Sequence, residues 1–208
     1  GSAYLFDTTD GTQLAVLTAW EGLAYDSLGW SVAINEHFAL AGAPQGPGLG
    51  QFNDAAGCVY LFDATTSSTN TPLAKLLASD GVNYDSFGSS IAISGDTVLV
   101  GAASGWSQQI GDAFGSAYLF DISTPSAPIQ LAKLTANDGA AGDNFGMSVA
   151  INDNTAVIGA WNDDDQGDWS GSVYLFDIST PSAPVQSAKL LASDGEAYDR
   201  FGRSVAIN

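Results

Sequence analysis

The string Tyr-Leu-Phe-Asp occurs four times in this chain, at 4–7, 60–63, 118–121 and 174–177, with starts 56, 58 and 56 residues apart. A second marker, Leu or Phe followed by Gly, keeps step with it at Leu28-Gly29, Phe87-Gly88, Phe145-Gly146 and Phe201-Gly202. Two markers locked in one period mean one structural unit copied along the chain, so the architecture is a repeat architecture. Copied units share scaffold residues, whereas a catalytic site needs unlike residues brought together. The pattern therefore argues against an enzyme.

The copy from 75 to 121 shows what the unit is made of. Ser90-Ile91-Ala92-Ile93 alternates in the β manner, Gly95-Asp96 is a turn, and Thr97-Val98-Leu99-Val100-Gly101-Ala102 is a second run. A polar loop over 103–114 leads to Ala117-Tyr118-Leu119-Phe120, closed by Asp121, and Leu131-Ala132-Lys133-Leu134 follows. Runs of four to six residues rich in Val, Ile, Tyr and Phe, bounded by Gly, Asp, Asn or Ser, predict short strands joined by hairpins. No stretch keeps an apolar period near 3.6 residues for long enough to make a helix.

Four short strands per copy of 56–58 residues predict an all-β chain of β-propeller blades. A single four-stranded sheet cannot bury both faces alone. Stacked against the next copy it buries a continuous core and leaves only short edges. Ser31-Val32-Ala33-Ile34, Ser90-Ile91-Ala92-Ile93, Ser148-Val149-Ala150-Ile151 and Ser204-Val205-Ala206-Ile207 alternate small and branched side chains, as an inner strand in a crowded ring requires.

These residues resemble the FG-GAP repeat family, the blades of the integrin α-subunit propeller and of bacterial surface proteins. The resemblance rests on Phe-Gly at 87–88, 145–146 and 201–202, Gly-Ala-Pro at 42–44, Gly-Ala at 101–102 and 159–160, and the Tyr-Leu-Phe strands. It is closest to the bacterial form, with Ala-Ser-Asp-Gly, Tyr-Asp-x-Phe-Gly and Ser-Val-Ala-Ile in order, and it covers essentially the whole chain. Leu28 stands for Phe in the first copy, and Ala103 and Trp161 stand for the Pro of Gly-Ala-Pro. The resemblance implies secreted or cell-surface, non-catalytic work in adhesion or structural assembly.

Gly1-Ser2-Ala3-Tyr4 repeats Gly115-Ser116-Ala117-Tyr118, so the sequence begins and ends inside a blade. The expected division is a partial blade over 1–20, blades over about 21–74, 75–132 and 133–188, and a partial blade over 189–208. Three arrangements fit it: a ring of four blades, a segment of a seven-bladed array as the resemblance implies, or ends that pair with neighbouring molecules in a fibre.

With 23 acidic and five basic residues the formal charge is −18. Phosphate backbones and anionic membranes would repel such a surface, while calcium, other cations and basic partners would be attracted. Nucleic acid is therefore not an expected partner. No apolar stretch approaches the ~20 residues that span a bilayer as a helix. Cys58, without a second cysteine, stands where the other copies have Ser2, Ser116 and Ser172, which predicts a buried small residue.

One loop departs from the copied pattern: Asn162-Asp163-Asp164-Asp165-Gln166-Gly167-Asp168, against Asp54 and Asp112 alone in the loops at 44–56 and 103–114. Several carboxylates around a Gly turn suit Ca²⁺, a hard cation. The expected side-chain ligands are Asp163, Asp165 and Asp168, with Asn162 and Asp164 as helpers, against the alternative of a solvated acidic turn. Trp106, Trp161 and Trp169 fall in the same class of loop and suit either stacking on a ligand or packing of loop on loop. Together they suggest the alternative function, a calcium-dependent carbohydrate- or protein-binding module.

The acids that recur in every copy call for a structural reading. Asp26, Asp85, Asp143 and Asp199 precede the Phe-Gly or Leu-Gly by two residues, and Asp80, Asp138 and Asp194 sit in Asp-Gly turns where the first copy has Glu21. Such residues accept backbone N–H bonds in turns. Paired carboxylates could in principle hydrolyse glycosides, but no pair stands apart from its copies. His37 belongs to a turn. The Ser/Thr/Pro loops at 65–72, 123–128 and 179–184 read as exposed hairpin connections.

Overall fold

The computed structural model describes residues 1–22, 25–46, 56–66, 71–103 and 114–208. Among them the regular elements are all strands: β1 (Ala3–Phe6), β2 (Gln13–Leu17), β3 (Val32–Ile34), β4 (Phe38–Ala43), β5 (Cys58–Asp63), β6 (Ala74–Leu76), β7 (Phe87–Ser94), β8 (Thr97–Ala102), β9 (Ser116–Asp121), β10 (Ile129–Leu134), β11 (Phe145–Asn152), β12 (Thr155–Ala160), β13 (Ser172–Asp177) and β14 (Val185–Leu190). They form three antiparallel four-stranded sheets, β3–β6, β7–β10 and β11–β14, each in sequence order, and a two-stranded sheet β1–β2. The Lys-bearing runs at 75, 133 and 189 close or complete the fourth strand of the preceding sheet. Residues 203–208, expected as a first strand, form no ladder among the described residues.

Tyr and Phe of each Tyr-Leu-Phe lie on one face of their sheet and Leu on the other, and in β5 and β9 both faces are buried. Leu61 and Val59 share a core with Tyr118 and Phe120 of the next sheet. Leu119 and Ala117 share one with Tyr174 and Phe176. Ala3 and Leu17 share one with Tyr60 and Phe62. The period-2 alternation of a strand thus feeds two cores at once, which is why these strands read as continuous apolar runs. Within a sheet, the Phe of Phe-Gly packs edge-on against both rings of the Tyr-Leu-Phe strand: Phe145 lies 5.3 Å from Tyr174 and 6.1 Å from Phe176. In the first full sheet, where Leu28 replaces Phe, Trp20 supplies the edge-on contact to Tyr60 at 6.0 Å.

The Gly of Phe-Gly makes a bulge. Pairing jumps from Phe87↔Ala102 to Ser90↔Gly101, and Gly88 takes φ 89°, a conformation that glycine adopts without a Cβ penalty. At this bulge each sheet is joined to the one before. Ser31, Ser90 and Ser148 donate their hydroxyls at 2.7 Å to the carbonyls of Gly88, Gly146 and Gly202. The Gly of each Gly-Ala, at 42, 101 and 159, faces the same three carbonyls so closely that a Cβ would collide with backbone. Parallel bridges Gly57↔Phe87, Gly115↔Phe145 and Gly171↔Phe201 complete the joint.

Candidate functional site

Three layers of polar structure sit where the loops of one sheet meet the next. The first is copied. Lys75, Lys133 and Lys189, each on a fourth strand, cross to an acid in the Asp-Gly turn of the previous repeat: Glu21 at 2.9 Å, Asp80 at 2.7 Å and Asp138 at 2.8 Å. Each ammonium also lies over the ring of the adjacent tyrosine, at 5.8 Å for Tyr60, 5.5 Å for Tyr118 and 5.1 Å for Tyr174. Tyr118 and Tyr174 donate their hydroxyls to Asp80 and Asp138. Burial pushes these two carboxyls up, but the Lys and Tyr hydrogen bonds outweigh it and hold both below the usual range. The repeated Ala-Lys-Leu at 74–76, 132–134 and 188–190 was the signal for this triad.

The Phe-Gly turns hold the second recurrent acid set. Asp85, Asp143 and Asp199 each accept the backbone N–H of the residue three before, Val82, Ala140 and Glu196, at 2.8, 2.6 and 2.8 Å. Asp26 accepts the N–H of Leu28 at 3.1 Å. The flanking residues hold left-handed backbone: Tyr84 and Ser86, Gly142 and Asn144, Tyr198 and Arg200. The carboxylate bond supports a conformation that non-glycine residues otherwise avoid. Asp143 is the outlier. Burial pushes its carboxyl up to about 6, against the Ala140 N–H, and the negative charges of Asp163 and Asp164 add to the rise.

The acidic loop of the fourth copy is the second layer. Asp163 is buried and accepts at Oδ2 from the Tyr174 hydroxyl at 2.8 Å; its Oδ1 accepts the Asp165 N–H at 3.1 Å. Lys189 reaches Asp163 at 3.0 Å and Asp165 at 2.7 Å in addition to Asp138. Partial burial would lower its pKa, but the bonds to Asp138 and Asp165, then Tyr174 and Asp163, hold it well above the ordinary lysine value. Asp164 accepts the Trp169 N–H at 2.6 Å and so closes the loop. Asp168 offers its carbonyl to the Tyr198 N–H at 2.7 Å, and Asn162 Oδ1 is buried with no hydrogen-bond partner among the described residues. Of the five expected ligands, then, Asp163 and Asp165 converge, and they converge on Lys189. Among the described residues no group of three or more acid, His or Cys side chains is arranged around a common cation position.

The third layer is aromatic and basic. Arg200 lies 4.8 Å from the ring centre of Trp161 and 5.3 Å from that of Trp169, and Arg203 lies 5.6 Å from Trp161. Trp169 meets Tyr198 edge to face at 5.7 Å and 81°. Trp161 is partly covered by this packing, while Trp169 stays 42 % exposed. Trp106, with Asp54 and Asp112, lies outside the described residues, as does part of the 65–72 loop. His37 is exposed in its turn, and Cys58 is fully buried, its thiol pushed up to about 11 by burial.

Stacked four-stranded sheets, joined at every Phe-Gly by the same Ser and Gly contacts, define a β-repeat protein. FG-GAP repeats match residues 12–62, 71–120, 129–176 and 184–208, and the chain belongs to that family. No curated protein matches it. Among solved structures it is similar to Sqt1 from Chaetomium thermophilum at 16% identity and a TM-score of 0.48, over 83% of this chain and 38% of that one.

Proposed function

We propose that this chain is a β-propeller module that works without catalysis outside the cell, secreted or at the surface, in adhesion or structural assembly. Repeats of this family are typical of extracellular and surface proteins, and the location is part of the proposal. The observation that carries it is the joint itself: the same Ser–Gly bond recurs at three successive sheets at 2.7 Å. A joint of this kind can be extended to a further blade without new chemistry. Self-association into an array or fibre is the form of assembly this favours. Electron cryo-microscopy of the protein without added partners tests it. Fibres or closed rings of blades support assembly or a propeller domain respectively. Unassociated open segments that bind no cell-surface material would remove the reading.

A second reading, a calcium-dependent carbohydrate- or protein-binding module, is favoured by exposed Trp169 beside the acidic loop. Calcium at Asp163 and Asp165 would have to displace the Lys189 ammonium. A glycan array read with calcium and with chelator tests that reading; a blank array in both conditions removes the carbohydrate half.

A further inference from the structure

The three lysines of this chain are each paired with at least one carboxylate. Its two arginines are not. Arg200 and Arg203 form no ion pair among the described residues, although the chain carries 23 acids. Instead both guanidinium groups lie against Trp161, a position occupied by Pro44 and Ala103 in earlier copies. Arg200 replaces Ser27, Ser86 and Asn144, and Arg203 replaces Trp30, Ser89 and Met147. Here, then, unlike residues are brought together on a copied scaffold.

The backbone holds the cluster in place. The N–H groups of Tyr198, Arg200 and Phe201 bond to the carbonyls of Asp168, Trp169 and Ser170 at 2.7, 3.0 and 2.8 Å. Tyr198, Arg200 and Trp169 all have positive φ, at 73°, 58° and 57°. Two buried donors in the cluster, Trp161 Nε1 and Arg200 Nε, have no acceptor among the described residues. A guanidinium stacked on an indole keeps its in-plane N–H edge free, and that edge matches a carboxylate bidentately. Two like charges against one ring also favour an anion between or beside them. Trp169 and Tyr198, 42% and 61% exposed, form an aromatic corner next to the charge. Such a corner suits the C–H face of a pyranose ring.

We infer that Trp161, Trp169, Tyr198, Arg200 and Arg203 form a binding site for a carboxylate-bearing saccharide, a hexuronate unit of an acidic glycan. The carboxylate is held by the arginine edges and the ring by the Trp169–Tyr198 corner. The inference rests on the carbohydrate half of the second reading and needs no calcium.

The test is calorimetric titration of the intact chain, in chelator, with oligogalacturonate, its methyl ester, a neutral cello-oligosaccharide and polyglutamate. The acid should bind about tenfold or more tightly than the ester, because the ester cannot accept the charged bidentate bond. Arg203→Gln, at an exposed side chain, should weaken the acid about tenfold and leave the melting temperature unchanged. Arg200→Gln should do the same, its fold checked by circular dichroism. Equal binding of acid and ester overturns the uronate site while the carbohydrate reading stands. Polyglutamate bound as tightly as the uronate overturns the saccharide in favour of an acidic peptide. No binding of any saccharide overturns both.

Discussion

The hydroxyl of Ser90 donates a 2.7 Å hydrogen bond to the carbonyl of Gly146, 56 residues further on. Ser31 reaches Gly88 and Ser148 reaches Gly202 at the same distance. The sequence period is therefore also the period of a physical contact, made where the bulge of one sheet meets the first strand of the sheet before it.

Ser90→Ala removes the donor and leaves the Gly146 carbonyl unpaired, at a cost of about 1 kcal/mol. Gly101→Ala pushes a methyl against that carbonyl and costs about 3 kcal/mol by forcing the sheets apart. Urea unfolding of the two variants checks the order. A Gly101→Ala protein as stable as the parent would show that the joint opens freely.

Lys189 holds three carboxylates, of which Asp163 is buried, whereas Lys75 holds Glu21 at an exposed position. Lys189→Met leaves a buried charge uncompensated and should cost about 3 kcal/mol. Lys75→Met should cost under about 1 kcal/mol. The same Lys189→Met chain presents Asp138, Asp163 and Asp165 without their ammonium, so millimolar calcium should raise its melting temperature more than that of the parent. Differential scanning calorimetry with calcium and with chelator measures both effects.

Asp143 titrates near 6, above an ordinary carboxyl, because burial disfavours its charge. Its contribution to stability is therefore present at low pH and lost as pH rises from about 4 to 6. Asp143→Asn keeps an acceptor for the Ala140 N–H and removes the charge. The variant should melt higher than the parent at pH 8, and the gap should narrow as pH falls from about 6 and close near about pH 4. Asp80 and Asp138, held low by Lys133 and Lys189, have the opposite sign: their contribution is lost as pH falls below the normal carboxyl range. A gap that does not change with pH would mean that Asp143 is charged throughout.

Phe145→Ala opens a cavity between Tyr174 and Phe176 and should cost about 4 kcal/mol. Phe145→Leu should cost about 1 kcal/mol, the edge-on ring contacts alone. The first copy carries Leu28 at this place, where Trp20 takes over the contact with Tyr60. Thermal unfolding of the two variants separates lost volume from lost ring geometry.

The strand runs at 97–102 and 117–120 were legible because β-branched and aromatic residues alternate between turn residues, and they are β8 and the heart of β9. The sequence reads the first run from Ser90, yet β7 opens at Phe87, because the bulge at Gly88 keeps Phe87 in the ladder. Among the site residues, the loop 162–168 was visible as an acidic departure from its copies. Its pairing with Lys189 was not, since the lysine comes from the fourth strand and the acids from the loop after the second. The Arg200–Trp161 contact was hidden for the same reason, the partners lying 39 positions apart.

By itself the sequence determined the repeat, the strand type and the turn acids. Those follow from period, side-chain branching and local backbone bonds, which act over a few residues. Only the tertiary structure decided which acids meet a lysine and which arginines meet none. Side chains far apart in the chain become neighbours when one sheet stacks on the next, and that stacking is set by the fit of the Ser–Gly joint and the shared cores.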